Sequence, residues 1–325
     1  MSHRRAGVAG LVLVGVLAAP AAATPPGSNG LIGWQRETPS GFPQLRVANP
    51  DGSNARTVFP SPPRRGDLEL TFSPTNPNLA FFTRFSAGPF SADLFRGNLT
   101  TGRVRRLVRP RSADIAPTVS PDGSTIAYFA VPRPRDFDPE RPPPPERINL
   151  IGVNGGNPRV ITPRHLRAID PDWSPDGTRF VYTESRLRPP ARIQNRLAVM
   201  NVDGTGRRAL TRFGGAEEVN GKWMPDGQTI VFEQLRDRGN RSDIATIPAG
   251  GGPIRKILSS RAWETNPIPS PDGTRILFSG NLDRRGGGRL GNNFELYTVD
   301  VNGTDLDRIT NNRRPDIFPD WQRLP

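Results

Sequence analysis

The chain has 325 residues, 34% of them apolar and 23% charged, with 34 Gly, 37 Pro, two His and no Cys. The missing cysteines exclude a disulfide framework, a thiol nucleophile and a lipid-anchor cysteine, and two histidines cannot make a His-rich zinc or manganese site. The formal charge of +13 rests almost wholly on arginines spread along the chain, which argues for a solvated surface and against a nucleic-acid site with interleaved aromatics.

Arg4 and Arg5 precede an apolar run from Val8 to Leu17, followed by the small residues Ala18 to Ala23. This order predicts a signal peptide over 1–23, and the run is too short to span a bilayer. The arginine pair leaves Sec and twin-arginine export both open. A short linker over 24–30 and a single domain over 31–325 follow. The signal implies export, no other apolar segment is long enough for a membrane span in the mature chain, and a monomer is expected.

From residue 31 onward the sequence repeats. Ser120-Pro-Asp-Gly123, Ser174-Pro-Asp-Gly177, Met224-Pro-Asp-Gly227 and Ser270-Pro-Asp-Gly273 each precede a short apolar strand, and Ser73-Pro74 begins a looser copy. Pro presets φ, Asp accepts local backbone hydrogen bonds and Gly takes positive φ, so each copy is a tight hairpin turn. A second turn recurs at Asp51-Gly52, Thr101-Gly102, Asn154-Gly155, Asp203-Gly204, Gly250-Gly251 and Asn302-Gly303. Spacings near fifty residues fit four short strands per repeat. The expected second strands lie at 31–35, 79–83, 125–129, 179–183, 229–233 and 275–279. The chain ends on Asp316-Ile-Phe-Pro-Asp-Trp321, a counterpart of Ala168-Ile-Asp-Pro-Asp-Trp173 without a following turn. The missing partner is the strand at 31–35, so the predicted fold is all-β: six four-stranded antiparallel blades closed by pairing of the C-terminal inner strand with the N-terminal strands.

The segment from Asp170 to Tyr182, with its Pro-x-Trp-Ser-Pro-Asp-Gly core, resembles the WD-repeat-like propeller units of the TolB family, and the resemblance runs from about Leu31 to Pro325. It implies a six-bladed propeller acting outside the cytoplasm as a binding module or scaffold for a protein, a peptide or a cell-envelope ligand. It also implies that the separate N-terminal domain of TolB has no counterpart in this chain.

In this topology the Pro-Asp-Gly turns and the second turns share one face, and the inter-blade links share the other with long segments at 131–148, 184–196, 235–243 and 280–294. Arg133, Arg135, Arg141, Arg186, Arg188, Arg236, Arg238, Arg284 and Arg285 form a candidate anionic-partner rim there, and Pro142 to Pro145 form an extended strip. Five places before the Trp173 position the repeats carry Asp67, Asp114, Ala168, Glu218, Glu264 and Asp316, with Asp170 two residues beyond the exception. These carboxylates are the candidate channel-mouth ligand site. Capping of backbone amides or pairing with arginine is the competing role. Calcium or manganese would suit such a ring, which keeps a lactonase- or lyase-like propeller enzyme as the alternative function. No Gly-x-Ser-x-Gly, P-loop or HExxH pattern supports catalysis, and His165 is a lone histidine on a link.

Overall fold

A computed structural model of the chain describes residues 27–86, 91–108, 112–132, 144–188, 192–236, 241–282 and 293–324. Among them there is no helix, only 24 strands in six four-stranded antiparallel sheets. Blade 1 holds β1 (Ser28–Arg36), β2 (Gln44–Ala48) and β3 (Arg56–Thr57). Blade 2 is β4 (Arg65–Phe72), β5 (Leu79–Ser86), β6 (Ala92–Asn98) and β7 (Val104–Arg106). Blade 3 is β8 (Ser112–Val119), β9 (Thr125–Pro132), β10 (Arg147–Gly152) and β11 (Arg159–Val160). Blade 4 is β12 (Arg167–Trp173), β13 (Arg179–Arg188), β14 (Arg192–Asn201) and β15 (Arg208–Ala209). Blade 5 is β16 (Glu217–Trp223), β17 (Thr229–Arg236), β18 (Arg241–Pro248) and β19 (Arg255–Leu258). Blade 6 is β20 (Glu264–Pro269), β21 (Arg275–Gly280), β22 (Glu295–Asp300) and β23 (Asp307–Arg308). The last strand, β24 (Asp316–Leu324), completes blade 1 in the order β24-β1-β2-β3, with Ile32 opposite Trp321 and Arg36 opposite Asp316. The ring therefore closes as its split repeat predicts, and β1 is paired on both sides, by β24 and β2.

The turns work as their residue types require. In the copy that begins at Ser174, the Ser174 hydroxyl donates to Asp176 at 2.5 Å, and Asp176 Oδ1 accepts from the Thr178 amide at 3.0 Å. The Arg179 amide donates back to Ser174 Oγ at 2.9 Å, and Gly177 takes φ of 69°. The core is distributed: each of six apolar clusters fills one junction between neighbouring blades. Phe180 and Tyr182 pack with Ile148 and Leu150 between blades 3 and 4, and Ile32, Trp34 and Trp321 pack with Leu277 and Leu296 where blade 6 meets blade 1. Burial of a side chain such as Phe180 contributes about 2–3 kcal/mol, so stability rests on six junctions and not on a single centre.

Two expected loops are strand pairs; in 235–243 Leu235 stands opposite Ser242 and Arg236 opposite Arg241. The segment 184–196 continues the β13–β14 ladder out to Arg188 opposite Arg192, because Leu187 and Ile193 alternate with polar neighbours at strand spacing. Residues 1–26, Arg133, Arg135, Arg141, Pro142, Pro143, Arg238, Arg284 and Arg285 lie outside the described residues.

Candidate binding site in the central channel

Each inner strand carries one extra residue where its pairing with the second strand slips. At that slip stand Glu69, Ala116, Asp170, Asn220, Asn266 and Phe318, all with φ between 50° and 53°. Six non-glycine residues in the left-handed region at equivalent places define a ring of β-bulges, a device that re-aims a side chain. Pro117, Pro171, Pro267 and Pro319 follow four of these residues, where a proline inside a strand cannot donate to the ladder, while Leu70 and Gly221 follow the other two.

The bulge ring lines a cavity of about 280 Å³ that opens on the face of the Pro-Asp-Gly turns. The turn prolines Pro74, Pro121, Pro175, Pro225 and Pro271 form its rim, and Trp173, Trp223, Trp321 and Phe72 form its walls. Four carboxylates, Glu69, Asp170, Asp172 and Asp320, line it together with Lys222 and Arg323. They also bind blade to blade. Glu69 accepts from the Ala116 amide at 2.8 Å, Asp172 from the Trp223 amide at 2.9 Å, and Asp320 from the Phe72 amide at 2.9 Å. Lys222 Nζ lies 3.5 Å from Asp172. Burial opposes its ammonium, but Asp172, Asp320 and Asp170 outweigh that and raise its pKa.

Burial raises the pKa of all four carboxylates, Asp172 against the pull of Lys222 and the Trp223 amide. Burial, reinforced by the charge of Asp170, pushes Glu69 up to about 7. Burial likewise raises Asp170 to about 6, against the pull of Lys222, and Asp320 to about 6, against the hydrogen bond from Phe72. Burial above all, with smaller contributions from neighbouring acids, thus disfavours the charged forms of these carboxylates in a pocket whose walls are aromatic.

Of the six carboxylates expected at the channel mouth, Asp170 alone lines this cavity. The other five are buried where the inner strands leave the links. Asp67 accepts from the Ser61 hydroxyl at 2.6 Å and from Arg84 at 2.6 and 2.8 Å. Asp114 accepts from Ser112 at 2.6 Å, Glu218 from Gln234 at 3.2 Å and from Thr211, and Glu264 from Ser260. Asp316 is clamped by Arg36 at 2.6 and 2.7 Å. In blade 4, where Ala168 breaks the pattern, its cross-strand neighbour Glu184 supplies the acid and pairs with Arg196 at 2.8 Å. In four of the six blades the repeated acid thus bonds a residue of the preceding link, Ser61, Thr211, Ser260 or Asn312.

Of the candidate rim, Arg186 donates to Gln194 at 2.9 Å and lies over Phe213, Arg236 is tied to Asp243 and to the Ser260 carbonyl, and Arg188 is exposed. His165 is exposed on its link. Among the described residues no group of three or more His, Asp or Glu side chains is arranged to hold a metal ion.

Six four-stranded blades around a channel define a β-propeller. Residues 143–323 match the family described as the TolB beta propeller domain, and the chain belongs to that family. The Tol-Pal system protein TolB of Bordetella pertussis is 31% identical over 159 residues, which cover 49% of this chain and 33% of that protein. An uncharacterized peptidase, YuxL, of Bacillus subtilis is 28% identical over 128 residues, 38% of this chain and 19% of the relative. The matched stretches thus account for a fifth to a third of these relatives' lengths. The crystal structure of TolB from Acinetobacter baumannii superposes with a TM-score of 0.69 at 19% identity, covering 90% of this chain and 66% of that one.

Proposed function

We propose that this chain is an exported propeller binding module that takes a lysine- or arginine-bearing segment of a protein or peptide partner into the channel mouth on the Pro-Asp-Gly face. The observation that carries this reading is the cluster of Glu69, Asp170, Asp172 and Asp320 beneath aromatic walls, with three of the four held near neutral pH by burial. A guanidinium or ammonium entering there would relieve the repulsion among the acids and stack on tryptophan. Its apolar stem would cover the ring of prolines. The likeness to a Tol-Pal system protein supports a partner outside the cytoplasm, and the basic-apolar-small order of the first 23 residues supports export with cleavage near Ala23.

The test is calorimetric titration with tetra-arginine peptide and, as the neutral control, tetra-citrulline. The expected result is binding of the first alone, weakened about tenfold by Asp320→Asn, since losing a charged partner contributes about 1.5–3 kcal/mol. Equal affinity for both peptides would remove the reading. Export is checked by intact mass of the native protein, in which residues 1–23 should be absent.

A further inference from the structure

The two faces of the propeller differ in charge. Among the described residues the exposed carboxylates, Asp51, Asp122 and Asp203 among them, all sit in or beside the turns of the Pro-Asp-Gly face. The opposite face is basic. Five of the six inter-blade links present an exposed arginine there: Arg64, Arg164, Arg212, Arg261 and Arg313. The sixth link runs partly outside the described residues.

The same face carries an unusual projection. Strands β13 and β14 have ten residues each, and their ladder ends with Leu187 opposite Ile193 and Arg188 opposite Arg192. Leu187 is 45% exposed and Ile193 52%. The other large exposed apolar residues, Val104, Val160, Ile254 and Leu306, are in or next to the outer strands. At the hairpin tip two aliphatic side chains are instead cross-strand partners, beside the exposed Arg188. Arg186 connects the hairpin base to Phe213, whose sequence neighbour is Arg212.

We propose that the link face docks on the anionic surface of a phospholipid bilayer, with Leu187 and Ile193 entering the headgroup region and the link arginines lying above the lipid phosphates. Charge complementarity selects an anionic surface, and the paired aliphatic tip selects a bilayer over a soluble polyanion, which would gain nothing from leucine and isoleucine. Neither feature touches the channel cavity, so this docking stands apart from peptide capture and would leave the acidic mouth facing away from the membrane.

The test is co-sedimentation of the protein with vesicles of phosphatidylcholine alone and of phosphatidylcholine mixed with phosphatidylglycerol, at low and high salt. The expected result is binding to the mixed vesicles only, lost at high salt. Arg188→Ala and Arg212→Ala should each weaken it about fivefold, and the double change Leu187→Ser/Ile193→Ser about tenfold. All these side chains are exposed, and unchanged melting of each variant confirms that the fold survives. Equal binding to both vesicle types would overturn the proposal, as would no binding to either. Capture by soluble polyphosphate that is indifferent to the Leu187→Ser/Ile193→Ser change would assign the face to a polymer instead.

Discussion

Arg84 is the sharpest probe of what the repeated acids do. Its guanidinium is 5% exposed, makes two hydrogen bonds of 2.6 and 2.8 Å to the fully buried Asp67, donates to the Phe59 carbonyl at 3.2 Å, and lies 5.4 Å from the Phe82 ring centroid. Arg84→Met keeps much of the packed stem but leaves the Asp67 carboxylate with the Ser61 hydroxyl as its remaining side-chain donor. Breaking a buried pair from one side costs about 3–5 kcal/mol, because the surviving charge is no longer compensated. Asp67→Asn should cost somewhat less, since the amide oxygen still accepts. The double variant should be more stable than the sum of the two losses predicts, with a coupling of at least about 2 kcal/mol. Urea unfolding followed by tryptophan fluorescence measures all three, and tetra-arginine affinity should be unchanged wherever the fold persists. A loss below about 1 kcal/mol for Arg84→Met, or strict additivity, would refute the view that these acids fasten links to blades.

Gly204 has φ of 89°, and a Cβ there would come 2.2 Å from the Ile161 carbonyl of the neighbouring blade, whereas Gly214 has φ of 94° and open space around it. Gly204→Ala should therefore lose more than about 2 kcal/mol and Gly214→Ala only about 1, as thermal melts would report. Glu69 has a folded pKa near 7, above its ordinary 4.5, so the folded state holds its proton more tightly than the unfolded one and stability falls as pH rises between those values. Glu69→Gln should flatten that fall and gain up to about 3 kcal/mol at pH 8 relative to pH 4, measured by urea unfolding across pH. Removal of 316–325 takes away β24 and uncovers Ile32 and Trp34 on blade 1, and the product should aggregate or fail to fold; a truncated protein melting like the full chain would contradict closure through β24.

Much of the architecture was legible because turn chemistry is local. Pro-Asp-Gly and the Asp-Gly or Asn-Gly pairs mark hairpins by the φ values they permit, and the half-repeat at Asp316 to Trp321 shows where the ring closes. The site was less legible because the alternation rule fails at a bulge. Asp67, Asp114, Glu218, Glu264 and Asp316 repeat faithfully, yet their period reflects a recurring structural contact with Ser61, Ser112, Thr211, Ser260 and Asn312. The cavity acids do not repeat: Glu69, Asp170, Asp172 and Asp320 occupy two different positions of the unit, and Lys222 stands where Asp172 does in the next blade. For Asp170, Asp172 and Asp320 the signal is the proline after the bulge residue, at Asp170-Pro171 and Phe318-Pro319, which is incompatible with a regular ladder; Glu69, followed by Leu70, carries no such mark. The hairpin tip at Leu187 and Ile193 was obscured by the prolines at 189 and 190, which read as loop.

The central claim is that the acidic mouth on the Pro-Asp-Gly face receives the cationic segment. Photo-crosslinking decides this most directly, with a tetra-arginine peptide carrying a benzophenone on its central residue and the adducts mapped by mass spectrometry. The account predicts labelling at Trp173, Trp223, Trp321 and the adjoining turn residues, abolished by Asp170→Asn/Asp320→Asn. Labelling of the link face around Arg164 and Arg212, unaffected by that double change, would contradict it.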